Sequence, residues 1–434
     1  MNKKILSLAG PSILANITVP LVGMVDVAIA GRLGDAASIG AIAIATMLFD
    51  LLYWNFGFLR VGTGGITAQA YGKRDLEGAA GTLVQAVGTA LFSALFLWAI
   101  QYFFVETAFL VIDTTDQIKH FAKQYFYIRI WAAPATLSLF AIKGWFIGMQ
   151  NAVSPMIVDI TVNVLNLLFC LFYAIYLDMG VQGIALGTLT AQYSGVAVAS
   201  LLLLVYYRKL LKRVSVSKTF RFSKMKNFFM INGNLIVRSV CFLLVYSGFT
   251  SLAAKYGETL LAVSTIMMKL MLLYSYFVDG FAYAGEALAG RYIGARDLSS
   301  LKKSIKLLFY WTMVIAVIST IGYTFEGEAL FRLMTNNNIV VEASRSYLPW
   351  LIVIPVISCT AFLLDGIFIG ATESKSLRDT MIVSAISFFA SYYLFQGIIG
   401  HQALYLAYTV HLMVRTVMMA LMLKPKVYGK LSSV

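Results

Sequence analysis

Residues Ile5 to Gly31 read ILSLAGPSILANITVPLVGMVDVAIAG and carry one carboxylate, Asp26, in an otherwise uncharged stretch. An apolar run of about 20 residues or more crosses a bilayer as a helix, because a helix satisfies its own backbone hydrogen bonds. At about 1.5 Å per residue, Asp26 lies about 27 Å along this helix from Leu8. A charge inside a membrane is costly, so Asp26 is a candidate functional residue.

Two prolines in the same stretch bear on the role of Asp26. Pro11 and Pro20 free backbone carbonyls, which is tolerated where a membrane helix faces protein or a water-filled cavity. They favour a functional Asp26 over the alternative, a carboxylate that is solvated at the far interface.

The composition places the chain in a membrane. Of 434 residues, 60% are hydrophobic and only 12% are charged, whereas soluble domains carry about 25% charged residues. The net charge of +14 suggests nucleic acid, but positive charge confined to one membrane face removes that inference, and no nucleic-acid partner is expected. The cysteines and histidines show no metal-ligand spacing, and there is no G-x-x-x-x-G-K-[ST] phosphate loop. We therefore expect no enzyme, no cofactor and no structural metal.

Apolar runs predict twelve membrane spans. They cover residues 8–30, 37–70, 80–104, 120–143, 155–177, 183–206, 229–253, 260–290, 304–324, 343–369, 379–399 and 402–423. Lys and Arg concentrate at both chain ends and after spans two, six and eight, above all over 208–228, while acidic residues mark the opposite side. Because short cytoplasmic loops are rich in Lys and Arg, both termini and this connection are predicted to be cytoplasmic.

The two halves of the chain repeat each other. Residues 72–75 (GKRD) correspond to 294–297 (GARD), and 145–148 (WFIG) to 367–370 (IFIG), at an offset of 222; Gly10 and Gly233, and Gly34 and Gly257, are 223 apart. We predict two six-helix lobes, 1–207 and 229–434, joined by a basic linker over 208–228. Parallel repeats of this kind place a substrate between the halves and alternate access by rocking them. Since each half can cover the other, we expect a monomer.

Charged residues inside the spans are the candidates for coupling or ion pairing. They are Asp26, Asp50, Arg60, Asp159, Arg238, Lys269, Asp279, Glu286 and Asp365. Asp279 and Glu286 share a face of span eight, so we expect one of them to pair with Arg238 in span seven. Such a pair serves coupling or only fixes helix packing, and both alternatives stay open. Asp365 is expected at the membrane interface.

A polar stripe follows one face of span five. Asp159, Asn163, Asn166 and Cys170 are spaced by 4, 3 and 4 residues. Such stripes usually face the helix bundle. If this stripe faces Asp26, the amino-terminal half holds a pocket for a proton or a cation; the alternative is hydrogen bonding between helices without a ligand.

Three motifs resemble the DinF branch of the multidrug and toxic compound extrusion family. They are NITVPLVGMVD over 16–26, FLRVGTGGITAQAYG over 58–72 and DGFAYAGEA over 279–287. The resemblance spans both halves and implies twelve helices in a V-shaped pair of lobes. It also implies export of organic, often cationic, compounds in exchange for protons or sodium, with Asp26 as the residue that binds the coupling ion.

The resemblance also implies further site residues. Asn166 and Thr188 match an Asn on span five and a Thr on span six in some prokaryotic members, but Cys170 stands where those members have an Asp. Sodium prefers hard oxygen ligands, whereas a lone carboxylate taken out of water is well suited to binding a proton. We therefore predict proton coupling, and Asp159 as a second charge keeps sodium open.

The sequence thus predicts an all-α secondary transporter in the plasma membrane of a prokaryote. It exports organic, cationic or amphipathic compounds, which the many aromatic and methionine side chains would suit. The alternatives are a flippase for a lipid-linked precursor, for which the intramembrane arginines and lysines are few, and a scaffold or receptor that does not transport.

Overall fold

A computed structural model of the protein describes residues 1–32, 36–212 and 222–432, and this part of the chain is helical without strands. The helices are α1 (Asn2–Arg32), α2 (Ala36–Trp54), α3 (Phe58–Gly72), α4 (Leu76–Val111), α5 (Asp116–Arg129), α6 (Ala133–Gly148), α7 (Val153–Cys170), α8 (Gly180–Leu211), α9 (Phe222–Ala254), α10 (Glu258–Gly294), α11 (Leu298–Met334), α12 (Asn338–Ser344), α13 (Leu348–Gly370), α14 (Ser374–Ile399), α15 (Gln402–Met422) and α16 (Gly429–Ser432).

Twelve segments of the described chain are long and apolar enough to cross a membrane, which confirms the predicted number. They run from 23 to 37 residues. Since about 20 residues suffice for the hydrocarbon core, the longer helices extend beyond it or cross it at a tilt. Span ten is shorter than predicted, because the separate helix α12 and a turn precede Leu348.

Two of the spans are interrupted near their middle. Span two changes from α2 to α3 through a 3-10 turn at Asn55–Gly57, and span four changes from α5 to α6 through a 3-10 turn at Ile130–Ala132. Pro134 in the first turn of α6 suits the start of a new helix, where the missing backbone N–H costs nothing. Because of the second break, α5 ends at Arg129, in the middle of span four.

The chain divides into two compact units. The amino-terminal unit is Leu14–Phe228, and the carboxy-terminal unit combines Met1–Ile13 with Phe229–Val434. The core of the first is built around Trp145 and Phe146, and that of the second around Phe249 and Tyr405. Part of the predicted basic linker, residues 213–221, lies outside the described residues, as does Gly34.

Backbone geometry repeats at the spacing that the sequence predicts. Arg74 and Arg296 both have positive φ, at 59° and 56°, and so do Gln150 and Thr372, at 64° and 55°. In each pair the two residues are 222 positions apart. Asp75 and Asp297 then cap α4 and α11, accepting hydrogen bonds from the backbone N–H of Gly78 and Ser300. The bonds from Ser300 hold the pKa of Asp297 below its usual range.

Close helix packing repeats in the same way. Gly144 on α6 lies against the backbone of Arg60 on α3, and Gly366 on α13 lies against the backbone of Ala282 on α10. A Cβ at either glycine would overlap those backbone atoms. Equivalent glycines therefore allow the same pair of helices to approach in each unit, and the two six-helix units are structurally related.

Candidate functional site

The candidate site lies in the amino-terminal unit, where two helices present polar side chains to Asp26 of a third helix. Asp26 comes from α1, Tyr125 and Arg129 from the last turns of α5, and Cys170 from the last residue of α7. The 3-10 turn follows Arg129, and a π-helical turn, Leu171–Tyr176, follows Cys170. Turns of this kind inside membrane helices often mark functional positions.

Side chains satisfy the backbone carbonyls that the 3-10 turn releases. The Trp98 indole N–H donates to the Ile130 carbonyl (3.1 Å), and the Tyr193 hydroxyl donates to the Trp131 carbonyl (2.9 Å). An unsatisfied carbonyl would be costly at membrane depth. These two bonds fix the end of α5 and with it the position of Arg129.

Asp26 is buried, with 1% of its surface exposed, and its direct hydrogen-bond donors are uncharged. The Tyr125 hydroxyl donates to Oδ2 over 3.1 Å, and the Cys170 thiol donates to Oδ1 over 3.7 Å. The nearest cation in this chain of contacts is Arg129, whose Nη1 donates to the Tyr125 hydroxyl over 3.0 Å. The guanidinium also stacks on the Phe49 ring, 4.6 Å from its centre.

A second group of polar side chains adjoins Cys170. Asn166 Nδ2 donates to Thr188 Oγ1 (2.9 Å) and to the Cys170 sulfur (3.5 Å), while Cys170 and Thr188 both reach the Ile184 carbonyl. The thiol has one proton and two acceptors, Asp26 Oδ1 and the Ile184 oxygen. Asn166 Oδ1 is buried and accepts no hydrogen bond from the described residues. The expected group of Asp26, Asn166 and Thr188 is therefore brought together through Cys170.

Two other predicted members lie elsewhere on α7. Asn163 donates to the Thr18 carbonyl of α1 (3.0 Å), eight residues before Asp26. Asp159 pairs with Lys143 on α6 (2.8 Å). The expectation that Asp159 supplies a second charge beside Asp26 does not match these contacts, because α7 carries it about three turns away from Cys170.

In the carboxy-terminal unit, the expected pairing of Arg238 with Asp279 or Glu286 is wrong. Arg238 on α9 donates to Asp365 Oδ2 on α13 over 2.5 Å. Arg415 on α15 donates to the same oxygen. Asp365 is 8% exposed, so it is a buried ion-pair residue and not the interfacial group expected from its sequence position. Glu286 is fully buried on α10, and Asp279 lies two turns before it.

Sequence reasoning missed four charged or polar partners: Tyr125, Arg129, Lys143 and Arg415. Arg129 and Lys143 lie inside predicted span four, and Arg415 inside predicted span twelve. A charge within an apolar run is the same signal that singled out Asp26, and it would have found these three. Tyr125 carries no such signal, because tyrosine is common in membrane helices.

No metal site is evident in the described ranges, where no three His, Cys, Asp or Glu side chains lie close enough together to hold a metal ion. The polar group around Asp26 offers one carboxylate, one amide oxygen and the hydroxyls of Tyr125 and Thr188. Its oxygen atoms suit a proton or a hard monovalent cation more than a transition metal.

An all-helical membrane protein of two related six-helix units, with a buried carboxylate in one of them, has the architecture of a secondary transporter. The MatE family model matches the chain twice, over residues 11–172 and 235–395. The chain belongs to the MatE family.

Relatives of known name agree with this assignment. The chain is 33% identical over 423 residues to the DNA damage-inducible protein F of Escherichia coli, covering 96% of this chain and 91% of that protein. It is 23% identical to human multidrug and toxin extrusion protein 1, over 86% of this chain and 65% of the human protein. Among solved structures, a MATE protein in a bent conformation superposes with a TM-score of 0.91 at 16% identity, covering 100% of this chain and 96% of that one. These relatives favour a transporter and lend no support to the flippase alternative.

Proposed function

We propose that the protein exports organic compounds, cationic or amphipathic, in exchange for protons by alternating access. It acts as a monomer in the plasma membrane of a prokaryote, with both termini in the cytoplasm. The observation that carries the proposal is Asp26: a buried carboxylate whose direct donors are a hydroxyl and a thiol. No side-chain cation of the described residues contacts it directly, so a proton or an ion can supply the missing charge.

The neighbours of Asp26 offer a way to respond to that proton. When Asp26 is charged, the Tyr125 hydroxyl and the Cys170 thiol donate to it. When it is protonated, the thiol can turn to the Ile184 carbonyl, 3.4 Å from the sulfur. Protonation of one carboxylate thereby changes the contacts that join α1 to α5 and α7.

Sodium is the second candidate ion, and one contact favours it. Asn166 Oδ1 is a buried oxygen without a donor among the described residues, beside the Asp26 group. A carboxylate, an amide oxygen and the Thr188 hydroxyl are hard ligands of the kind that sodium prefers. Against sodium stands the Cys170 sulfur, which occupies a position next to the carboxylate and is a soft ligand.

The test is uptake of a fluorescent organic cation into proteoliposomes, with a proton gradient and a sodium gradient imposed separately. The proton gradient is expected to drive transport by the wild type and not by Asp26→Asn, which mimics the protonated side chain. Glu106→Gln, in a solvent-accessible ion pair with Lys123, is the matched control and is expected to transport normally. Full proton-driven activity in Asp26→Asn would overturn the proposal. Wild-type activity driven only by a sodium gradient would show that sodium, and not the proton, is the coupling ion.

A further inference from the structure

The carboxy-terminal unit contains two arginines that share one carboxylate oxygen. Arg238 and Arg415 both donate to Asp365 Oδ2, from helices on either side of α13 in the chain. Arg415 is 3% exposed, and its Nη1 has no hydrogen-bond partner among the described residues. A buried guanidinium nitrogen without an acceptor is rare in folded proteins and calls for a physical explanation.

The contacts of this cluster leave one positive charge in excess. Two guanidinium groups meet one carboxylate, and no other carboxylate of the described chain pairs with either arginine. An uncompensated cation is costly inside a membrane protein, so the cluster favours an additional anion.

A third arginine extends the cluster along α9. Arg378, near the start of α14, donates through Nη1 to Asn234 Oδ1 (2.9 Å), and Asn234 lies one helical turn before Arg238. Asn234 also donates to Ser374 Oγ (3.1 Å). Arg378 also pairs with the adjacent Asp379 through Nη2 (2.6 Å), so three arginines meet two carboxylates. We call Arg378, Arg238 and Arg415, from the beginning of α14 to the interior of the unit, the arginine ladder.

The ladder is open at its two outer members. The side chains of Arg378 and Arg238 are 31% and 19% exposed, whereas Arg415 is closed to solvent. The planar guanidinium fork matches the two oxygens of a carboxylate, phosphate or sulfonate group. An anion arriving at Arg238 would lie near a second guanidinium, that of Arg415, which donates to the same Asp365 oxygen and has an unsatisfied Nη1.

We propose that the arginine ladder binds an acidic group of the transported compound, so that the substrates include amphipathic molecules that carry a carboxylate, phosphate or sulfonate. This inference rests on the proposed export function and names its substrate class. Asp365 holds the two inner arginines in place and competes with the ligand for them. A substrate with both a cationic and an acidic group would satisfy both this site and the proposed preference for amphipathic compounds.

Binding of two matched dyes to the purified full-length protein tests the inference. One is a rhodamine with a free carboxyl group, and the other is its methyl ester, which keeps the cationic ring system. We expect the free acid to bind several-fold more tightly than the ester, and Arg238→Gln and Arg378→Gln to remove that difference. Arg332→Gln, in an exposed pair with Glu328 of the same unit, is the control and should retain it.

Asp365→Asn distinguishes a binding role from a structural one. The substitution frees both inner guanidinium groups, so affinity for the free acid should rise even though the protein melts earlier. Equal binding of acid and ester by the wild type, or weaker acid binding in Asp365→Asn, would overturn the inference. Competition by phosphatidylglycerol, but not by the ester dye, would assign the ladder to lipid headgroups and overturn it as well.

Transport separates this inference from the proposed function. If neither dye is transported under a proton gradient while the free acid binds through Arg238, the proposed function fails and the anion site stands. If both dyes are transported equally and Arg238→Gln changes neither, export stands and the anion site fails.

Discussion

Asp26 and Asp365 are the two buried aspartates of the described chain, one in each unit, and their partners differ in charge. Asp26 receives hydrogen bonds from a tyrosine and a cysteine. Asp365 receives them from two arginines. The donors of Asp26 carry no positive charge, so an exchangeable ion can supply one. Asp365, in contrast, already pairs with two positive charges. A buried aspartate is therefore informative about function only together with the charges of its donors.

The repeat also relates charged residues of the two units. Asp365 lies 222 residues after Lys143, so these two opposite charges occupy equivalent positions. Lys143 pairs with Asp159, and Asp365 pairs with Arg238 and Arg415. The glycine contacts beside them, at Gly144 and Gly366, are the same. The duplication has kept the backbone packing and changed the charges, so that each unit offers a different kind of site.

The largest predicted difference concerns stability. Asp365→Ala leaves two guanidinium groups without their carboxylate and should cost about 3–5 kcal/mol of unfolding free energy. Asp26→Ala removes an acceptor from two neutral donors, of which the Tyr125 hydroxyl still contacts Arg129, and should cost about 1 kcal/mol or less. Thermal unfolding of both variants in detergent measures the difference. Equal losses of stability would show that the different donors of the two aspartates do not affect folding differently.

The shared backbone frame predicts equal effects in the two units. Gly144→Ala and Gly366→Ala each place a Cβ against the backbone of the facing helix, and each should destabilise its unit by about 1–3 kcal/mol. Gly322→Ala, where an added Cβ meets nothing within 4 Å, is the control. A large effect at only one of the two glycines would show that the packing is not equivalent.

A single substitution should change the ion preference of the amino-terminal site. Cys170→Asp replaces a sulfur beside Asp26 with a second carboxylate, which supplies hard oxygen ligands. We expect transport to become several-fold more dependent on sodium, and thermal stability to be lower without sodium than with it, because the ion offsets the repulsion of the two carboxylates. Cys170→Asn, which has the size of the aspartate variant but no charge, is the control. Sodium-independent transport in Cys170→Asp would argue against cation binding at this position.

The smallest predicted effect is at Arg129. This residue acts on Asp26 through Tyr125 and supplies the positive charge nearest to it in their chain of hydrogen bonds. Arg129→Met removes a charge that opposes protonation, so the pH profile of transport should move to higher pH by about one unit. Arg129→Lys should keep most of the wild-type profile. An unchanged profile in Arg129→Met would show that the cation does not influence the site.

Much of the fold could be predicted from the sequence, because membrane spans and repeats are properties of hydropathy and spacing. The offset of 222 residues predicted a duplication that recurs in the positive φ values of Arg74 and Arg296. Asp26 was found because a charge within an apolar run is unusual. Asn166 and Thr188 were supplied by the family resemblance, and the structure joins them to Asp26 through Cys170.

Ion pairs between helices could not be predicted in this way. Arg238 was assigned to a carboxylate on the next helix, but its partner, Asp365, is 127 residues away on α13. Which helix faces which is decided by packing, here by Gly366 and Gly370 against α10, and adjacency in the sequence does not reveal it. The prediction that Asp159 joins the Asp26 pocket does not match the contacts for a related reason. Of the α7 side chains, Cys170 at the carboxy-terminal end bonds to Asp26, and Asp159 lies about three turns before it.

The most direct test of the central claim is proton release on substrate binding, measured with a pH indicator in weakly buffered detergent solution. Addition of the fluorescent organic cation to the wild type should release protons, because the substrate and the Asp26 proton exclude each other. Asp26→Asn should bind the cation and release none, whereas Glu106→Gln should release protons as the wild type does. Equal proton release by the wild type and Asp26→Asn would contradict the claim that Asp26 couples proton exchange to export.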